Sequence, residues 1–240
     1  MTTAEKPHYK RILLKLSGEG LTNGELTIDP ETLNRIACEI KGICELGVQV
    51  CLVLGGGNIF RGVAGATKGM DRTTADYMGM LATVMNGLAL ADAFRHIDID
   101  ARVLSAIPIP AVCEAVIRDK ALHHLEKGRV VIFVAGTGNP YFTTDTAGTL
   151  RALEMGCEAL FKSTNVDGVY DKDPKKHADA VRFDSISYAD VLAKKLKVMD
   201  MAAIALARES KLPIVVFNQN KSGLLKQVVC GQGVFSQITE

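Results

Sequence analysis

Apolar and polar segments alternate along the 240 residues with a period that changes from strand-like to helix-like. Short apolar runs predict strands, and apolar residues that recur every three or four positions predict helices. The predicted strands cover residues 11–16, 48–54, 101–105, 130–134, 159–162, 214–217 and 234–238, the last as an edge strand. The predicted helices cover residues 30–46, 72–95, 114–127, 145–155, 187–194, 198–210 and 223–229.

This alternation predicts an α/β fold, with helices on both faces of a mainly parallel central sheet. In open sheets of this kind, ligands bind beyond the carboxyl ends of the strands. The predicted strands at 11–16, 48–54, 130–134 and 159–162 are each followed by a loop that contains glycine. We therefore expect a functional site where these loops meet.

Composition and charge exclude several classes of function. The chain is 48% apolar and 23% charged, its net charge is +1, and it has no long basic or acidic block. These values predict a globular protein with no nucleic-acid partner and no membrane partner. The apolar runs are too short for a membrane span, and residues 1–11 are too polar for a secretory signal. We therefore expect a cytoplasmic location.

The loops after the first two strands carry residue types that suit phosphate. Lys15 offers a point charge, and Ser17 and Gly18 offer a hydroxyl and a tight turn. Three consecutive glycines at 55–57 allow a close backbone approach to a ligand, and Arg61 could hold a phosphoryl oxygen with two hydrogen bonds. The alternatives are an ordinary strand lysine and a plain tight turn. No GxxxxGK[ST] string occurs, so this is not a Walker A loop.

The segment 135–145 joins a predicted buried strand to a predicted helix. The free N–H groups at such a helix start favour an anion. Asn139 combines a donor with an acceptor, which suits the edge of a nucleobase, and Tyr141 and Phe142 could stack on a ring. The alternative is an ordinary capped helix start.

Several other polar residues are candidates for ligand binding, and each could instead have an ordinary structural role. Asp76 could bind sugar hydroxyls, as acids do in dinucleotide folds, or could be a solvated helix charge. Tyr170 offers a face for a purine and Asp173 precedes a proline, although both could belong to a hairpin turn. Lys194 and Asp200 become candidates only in the company of the other loops.

Four motifs in this order resemble the amino acid kinase family: Lys15-Leu16-Ser17-Gly18, Gly55-Gly56-Gly57-Asn58, Ala135-Gly136-Thr137-Gly138 and Val166-Asp167-Gly168-Val169. Strings at 60–62, 78–86, 137–145 and 196–200 narrow the resemblance to the bacterial members that phosphorylate uridine monophosphate. The similarity extends from about residue 10 to residue 240.

The resemblance implies one three-layer α/β/α domain over residues 1–240. It has a nucleoside monophosphate lobe at about 1–160 and an ATP-binding lobe at about 161–240. It implies ATP-dependent phosphorylation of UMP to UDP by a homohexamer, with Mg²⁺ held mainly by ATP phosphates and water and no metal ligand from the chain. Many members carry a longer glycine-rich segment where this chain has 22–28, which argues against activation by GTP. The motifs leave inhibition by UTP open.

The resemblance also implies roles for particular residues. The catalytic positions are Lys15, Asp145, Lys194 and Asp200. The ATP positions are Lys15, Leu16, Ser17, Gly18, Gly57, Arg61, Thr164, Asn165, Tyr170 and Asp173. The UMP positions are Gly56, Asp76, Thr137, Gly138, Asn139, Pro140, Tyr141, Phe142, Thr143 and Thr144.

Three rival functions fit parts of the pattern. The first is another member of the family, such as an acetylglutamate, aspartate or carbamate kinase. The second is a non-catalytic nucleotide- or oxoanion-binding protein on the same fold, against which the intact Lys15 and aspartates argue. The third is a nicotinamide-binding protein, which would need GxGxxG where residues 15–20 do not supply it.

Overall fold

The computed structural model describes residues 6–60 and 69–240. Within those ranges the strands are β1 Arg11–Leu16, β2 Gln49–Leu54, β3 Ala101–Ser105, β4 Glu114–Ala115, β5 Val130–Val134, β6 Ala159–Thr164, β7 Val169–Tyr170, β8 Arg182–Phe183, β9 Ser185–Ser187, β10 Ile214–Asn218 and β11 Phe235–Thr239. The α-helices are α1 Pro30–Cys44, α2 Arg72–His96, α3 Arg118–Glu126, α4 Thr144–Glu154, α5 Tyr188–Ala193, α6 Met201–Glu209 and α7 Leu224–Val229. A short 3-10 helix covers Gly18–Leu21.

Nine of these strands form one sheet in the order β4-β3-β5-β2-β1-β6-β10-β11-β9 in the described part of the chain. All neighbours are parallel except β10 and β11. β1, β2, β5 and β10 are almost entirely buried, because a parallel sheet is covered on both faces and its central strands must be apolar. The predicted mainly parallel α/β fold is confirmed. β7 and β8 form a separate antiparallel pair.

Two apolar cores lie on opposite faces of the sheet. α1, α2 and α7 pack on one face, and α3, α4, α5 and α6 pack on the other. Alternate residues of β1 divide between the cores, with Ile12 and Leu14 on the first face and Leu13 on the second. Among the helices of the described ranges, none is both long and apolar enough to cross a membrane.

Two predicted elements were wrong in detail. The segment 114–127 is not one helix, because Glu114–Ala115 pairs with β3 as a short edge strand and the helix begins at Arg118. The last strand is not an edge strand, because β11 lies between β10 and the short β9. Both differences arise from pairing with other strands, which the periodicity of the segment itself does not report.

The order of the strands fixes where a ligand is expected. In the sheet, β2, the next strand along the chain, lies on one side of β1, whereas β6 and β10 lie on its other side. In a doubly wound sheet, ligands bind at the carboxyl edge where the strand order reverses. In this chain, that position is the carboxyl ends of β1 and β6.

Two helical glycines provide a test of the packing of α2 on the sheet. A Cβ atom at Gly87 of α2 would overlap Val134 Cγ1 of β5, whereas a Cβ atom at Gly42 of α1 would have no atom within 4 Å. We expect Gly87→Ala to lower the free energy of unfolding by about 1–3 kcal/mol because of overpacking. Gly42→Ala should leave it unchanged or raise it by up to about 1 kcal/mol through helix propensity. Urea unfolding at one protein concentration measures both, and a Gly87→Ala variant as stable as the parent would contradict this packing.

Candidate active site

Two lysines lie side by side at the predicted ligand edge. Lys15 of β1 and Lys162 of β6 are register partners on neighbouring parallel strands. Lys15 follows Leu13 by two positions and Lys162 follows Leu160 by two, so both side chains point to the face that α4 covers. Only 11% and 12% of the two side chains are exposed. Two adjacent buried ammonium groups repel each other, so the pair needs a negative partner.

Asp145 is that partner. Its Oδ1 lies 3.0 Å from Lys15 Nζ, and its Oδ2 lies 2.7 Å from Lys162 Nζ. Asp145 stands in the first turn of α4, where Thr143 caps the helix by accepting from the Asp145 N–H at 3.0 Å. The helix dipole favours a carboxylate at that end. One carboxylate therefore separates and orients two buried ammonium groups.

The pKa values of this group reflect a competition between burial and charge. Burial acts to raise the pKa of Asp145, but the nearby ammonium groups of Lys15 and Lys162 outweigh it and hold the pKa below its ordinary value of 3.8. Burial lowers the pKa of Lys162, and the Asp145 carboxylate opposes that shift. Two ammonium groups and one carboxylate give the group a net positive charge, which favours the binding of an anion.

Asp200 joins the start of α4 to the start of α6. It caps α6 by accepting from the Ala203 N–H at 2.8 Å, and it accepts hydrogen bonds from the hydroxyls of Thr143 and Thr146. Its charge also acts on Lys162. The structure thus brings together three of the four predicted catalytic residues.

Lys194, the fourth, is placed elsewhere. It follows α5, and its Nζ lies 5.1 Å from the centroid of the Phe183 ring. Among the ion pairs of the described residues, none joins Lys194 to Asp145 or Asp200. The catalytic role of Lys194 therefore stays a prediction, and the second lysine beside Asp145 is Lys162. The sequence held a signal for it, because a lysine within the apolar run of β6 repeats the position of Lys15 near the end of β1.

The loops after β1 and β2 touch each other through glycines. A Cβ atom at Gly18 would lie 2.8 Å from Gly55 O and 2.8 Å from Gly57 N, so the close approach requires glycine. The Gly55 N–H donates to Leu16 O at 2.9 Å, which continues the β1–β2 ladder into the loops. The two predicted phosphate loops therefore form one surface beside Lys15. Arg61 lies outside the described residues.

The loop after β5 is tied to α2. Ala135, Gly136, Gly138 and Tyr141 all have positive φ angles, between 58° and 80°. The Tyr141 N–H donates to Asp76 Oδ2 at 2.8 Å. The predicted UMP residues Asp76 and 137–144 are therefore neighbours, as a shared ligand requires.

Asp76 and Tyr141 are also joined through Arg72. Arg72 Nε donates to both oxygens of Asp76, at 2.9 and 2.8 Å. The guanidinium carbon of Arg72 lies 5.4 Å from the centroid of the Tyr141 ring. Tyr141 and Phe142 are exposed. The two aromatic rings are thus available to a ligand at the rim of this loop.

The remaining predicted ATP residues lie after β6. The Thr164 hydroxyl donates to Val166 O at 2.7 Å, and Asn165 Oδ1 accepts from Gln219 Nε2 at 2.9 Å. Tyr170 belongs to the β7–β8 pair, and Asp173 Oδ1 accepts from a backbone N–H two residues on. This segment forms the far side of the site from the β5 loop.

The four loops lie in sequence along one edge of the sheet. β5, β2, β1 and β6 are consecutive strands, and all run parallel. Three interstrand spacings separate the β5 loop from the β6 loop by roughly 14 Å. The lysine pair and the glycine surface lie between them. This order allows one ligand on each side, with their charged ends meeting in the middle.

Comparison with known proteins identifies the family. Residues 10–218 match the model of the amino acid kinase family. The chain belongs to the amino acid kinase family. The central Lys15–Asp145–Lys162 group is thus part of an amino acid kinase fold.

Individual relatives of this amino acid kinase share nearly its whole length. It is 58% identical over 236 residues to a uridylate kinase of Paramagnetospirillum magneticum, which covers 98% of both chains. It is 55% identical over 242 residues to a uridylate kinase of Roseobacter denitrificans, which covers 100% of both. Among solved structures, a UMP kinase from Bacillus anthracis has a TM-score of 0.93 and 40% identity, with 96% of each chain covered.

Removal of the Asp145 charge tests whether it holds the lysine pair together. Asp145→Asn leaves two buried ammonium groups without their partner, so we expect the free energy of unfolding at pH 7 to fall by about 3 kcal/mol. Asp92→Asn is a matched control, because Asp92 pairs with Arg95 on the surface, and its loss should cost less than about 1 kcal/mol. Urea unfolding measures both values.

The difference in free energy of unfolding between the parent and Asp145→Asn should change with pH in one direction. The pKa of Asp145 in the folded chain lies below 3.8, so its contribution is complete above pH 3.8 and is lost as the pH falls through the folded value. The difference in free energy of unfolding between the parent and Asp145→Asn should therefore become smaller as the pH falls. A difference that is absent at pH 7, or that grows in acid, would contradict this electrostatic role.

Proposed function

We propose that this amino acid kinase transfers the γ-phosphoryl group of ATP to UMP and releases UDP and ADP. The observation that carries the proposal is the Lys15–Asp145–Lys162 group, which lies between two loop regions suited to two different nucleotides. The uridylate kinase relatives, at 55–58% identity over nearly the full length, support the choice of UMP as acceptor.

ATP binds over β1 and β6 in this proposal, and UMP binds over β2 and β5. The ATP contacts are Lys15, Leu16, Ser17, Gly18, Gly57, Arg61, Thr164, Asn165, Tyr170 and Asp173. The UMP contacts are Gly56, Asp76 and residues 137–144. The lobe boundary near residue 160 then separates the residues that bind UMP from those that bind the nucleoside of ATP, which are Thr164, Asn165, Tyr170 and Asp173.

A phosphate oxygen of UMP is the nucleophile. A phosphate monoester has a second pKa near 6, so UMP is mostly a dianion at pH 7 and needs no strong general base. The oxygen forms a new bond to the γ-phosphorus while the bond from that phosphorus to the β,γ-bridging oxygen breaks, and ADP leaves. The obstacle is repulsion between two anions, so catalysis depends on alignment and on neutralised charge.

The chain supplies that charge through positioned lysines. Lys15 and Lys162 donate to phosphoryl oxygens at the meeting point of the two nucleotides. Asp145 holds both ammonium groups in place, and Asp200 fixes the helix starts around them. The backbone N–H groups of the glycine loops add donors that need no reorientation during the reaction.

Magnesium arrives with ATP in this proposal. Within the described ranges, no group of three or more His, Cys, Asp or Glu side chains could hold a metal ion. The oxygens of Asp145 face lysines, and those of Asp200 accept hydrogen bonds from hydroxyls and an N–H. The donor set therefore fits Mg²⁺ held mainly by ATP phosphates and water. The ion would neutralise phosphate charge.

The proposed form in the cell is a cytoplasmic homohexamer. One face of α2 supports contact between subunits, because several apolar side chains on it are 38–53% exposed: Tyr77, Met78, Leu81, Met85 and Leu88. The shorter segment 22–28 favours an enzyme without GTP activation, and UTP inhibition stays open.

The two strand lysines can be tested against Lys194. Because Lys15 and Lys162 face Asp145 at the centre of the site, Lys15→Met and Lys162→Met should each lower kcat by roughly 100- to 1,000-fold. The proposal assigns the second catalytic lysine to Lys162 in place of the predicted Lys194, whose ammonium lies over Phe183, so Lys194→Met should stay within about threefold of the parent. Steady-state assays on variants with native circular dichroism measure this. A large loss in Lys194→Met alone would restore the sequence-based assignment and reject Lys162.

Base specificity tests the loop after β5. A site that hydrogen-bonds a base edge leaves polar groups unpaired when the wrong base enters. We expect kcat/KM for UMP to exceed that for CMP by at least about 100-fold. Equal values for the two bases would contradict the role of Asn139 and its neighbours.

The same ATP-coupled assay separates the rival functions. Acetylglutamate, aspartate and carbamate should give no turnover. Activity with one of these acids and none with UMP would identify a different member of the family, and no activity with any acceptor would favour a binding protein.

A further inference from the structure

A buried asparagine on α2 contacts the glycine loop that follows β2. Asn86 is 0% exposed, and it lies in a helix, where buried amides are uncommon. Its Nδ2 donates to Gly55 O at 2.7 Å and to Asn58 Oδ1 at 2.8 Å. Its Oδ1 accepts from Asn58 Nδ2 at 3.0 Å. The Asn86 side chain thus makes these hydrogen bonds to the loop that follows β2.

Asn58 completes a closed pair of amides. Besides its two bonds with Asn86, Asn58 Nδ2 donates to Thr27 O at 2.8 Å. Gly55 O and Thr27 O can only accept, so they fix which end of each amide faces which neighbour. All four amide N–H donors and both amide oxygens are in use. A network in which every amide group has a partner favours one arrangement of the segments it joins.

The amide pair lies beside the loops that carry the proposed phosphate contacts. Thr27 belongs to the segment that follows the 3-10 helix after β1, and Gly55 and Asn58 flank Gly56 and Gly57. Gly18 lies against the pair as well, since a Cβ atom there would come within 2.5 Å of Asn58 Oδ1. The amide pair therefore fixes the β2 loop against the β1 loop and fixes both against α2.

The same face of α2 also holds the proposed UMP loop. Thr83 Oγ1 accepts from the Ala135 N–H at 2.7 Å, and Asp76 accepts from the Tyr141 N–H. Asn86 follows Thr83 by three positions and therefore lies on the same side of the helix. One helix face thus contacts both the glycine loop after β2 and the loop after β5.

We propose that Asn58 and Asn86 are positioning residues for phosphoryl transfer, which act through the backbone of Gly56 and Gly57. This inference rests on the proposed function. Neither amide has to touch a nucleotide in this role, because each sets where the loop N–H groups lie relative to Lys15. A small displacement of aligned groups can lower a rate about 100-fold without the loss of any ligand contact.

The test compares Asn86→Ala and Asn58→Ala with a matched control. Gln49→Ala is the control, because Gln49 lies at the opposite end of β2 and also makes two hydrogen bonds, with Arg11 Nε at 2.7 Å and Leu125 O at 3.0 Å. All three variants lose side-chain hydrogen bonds, but only the first two lose bonds that hold the loop. Asn58 is partly exposed, so Asn58→Ala keeps the test available if Asn86→Ala fails to fold.

We expect kcat with ATP and UMP to fall at least about tenfold in both asparagine variants, while the KM for each nucleotide changes less than about threefold. Gln49→Ala should retain the parent kcat. The double variant Asn58→Ala/Asn86→Ala should lose no more than the worse single variant, because the two amides act as one unit. A kcat within twofold of the parent in both single variants, or losses that multiply in the double variant, would overturn the proposal.

Hydrogen exchange separates this inference from the proposed function. Amide exchange over residues 54–60 should be faster in both asparagine variants than in the parent, and unchanged in Gln49→Ala. If the parent does not phosphorylate UMP, the proposed function fails, and the exchange comparison still decides whether the pair holds the loop. Unchanged exchange in the asparagine variants would overturn the positioning role whatever the activity.

Discussion

The site depends on one buried carboxylate held between two buried ammonium groups. Parallel pairing of β1 with β6 places Lys15 directly beside Lys162, an arrangement that repulsion would disfavour without a partner. The first turn of α4 supplies Asp145 at hydrogen-bonding distance from both. Because each member is nearly buried, the three side chains have little freedom to move. The strand register and the helix start therefore determine the charge that an incoming phosphate meets.

Around this centre the backbone, more than the side chains, shapes the site. The loops after β1 and β2 approach each other so closely that Gly18 has no room for a Cβ atom. The glycines at this contact have no side chains that could hold the loops. α2 compensates with three polar side chains on its inward face, Asp76, Thr83 and Asn86, which bond to loop backbone or to Asn58. The rigidity of the reaction centre thus comes from a helix behind it.

Much of the fold followed from local pattern, because the central strands are apolar runs bounded by glycine-containing loops. β1, β3 and β5 have the bounds that the sequence predicted, and α2 differs by one residue. The short strands β4, β7, β8 and β9 were not predicted, since two or three residues carry no period and pair only through the tertiary structure.

The predictions of the site residues divide in the same way, because some roles follow from local sequence and others only from contacts between distant segments. The glycine loops were predicted because their residue types signal a phosphate-binding edge, whereas the role of Asp145 was implied by the resemblance to the amino acid kinase family. Lys162 was missed because, although its place in β6 resembles that of Lys15 in β1, only the strand pairing shows that these two residues, almost 150 positions apart, lie side by side. Asn86 was missed for a similar reason: only the fold shows that this side of α2 is buried against a loop.

The most direct test of the account is a crystal structure with UMP and a non-hydrolysable ATP analogue bound together. We predict that the UMP phosphate meets the triphosphate of the ATP analogue over the carboxyl ends of β1 and β6, with the ammonium groups of Lys15 and Lys162 both within hydrogen-bonding distance of phosphoryl oxygens. We also predict that Asp145 keeps its contacts to both lysines. Phosphate groups that meet elsewhere, with neither lysine in contact, would contradict the account.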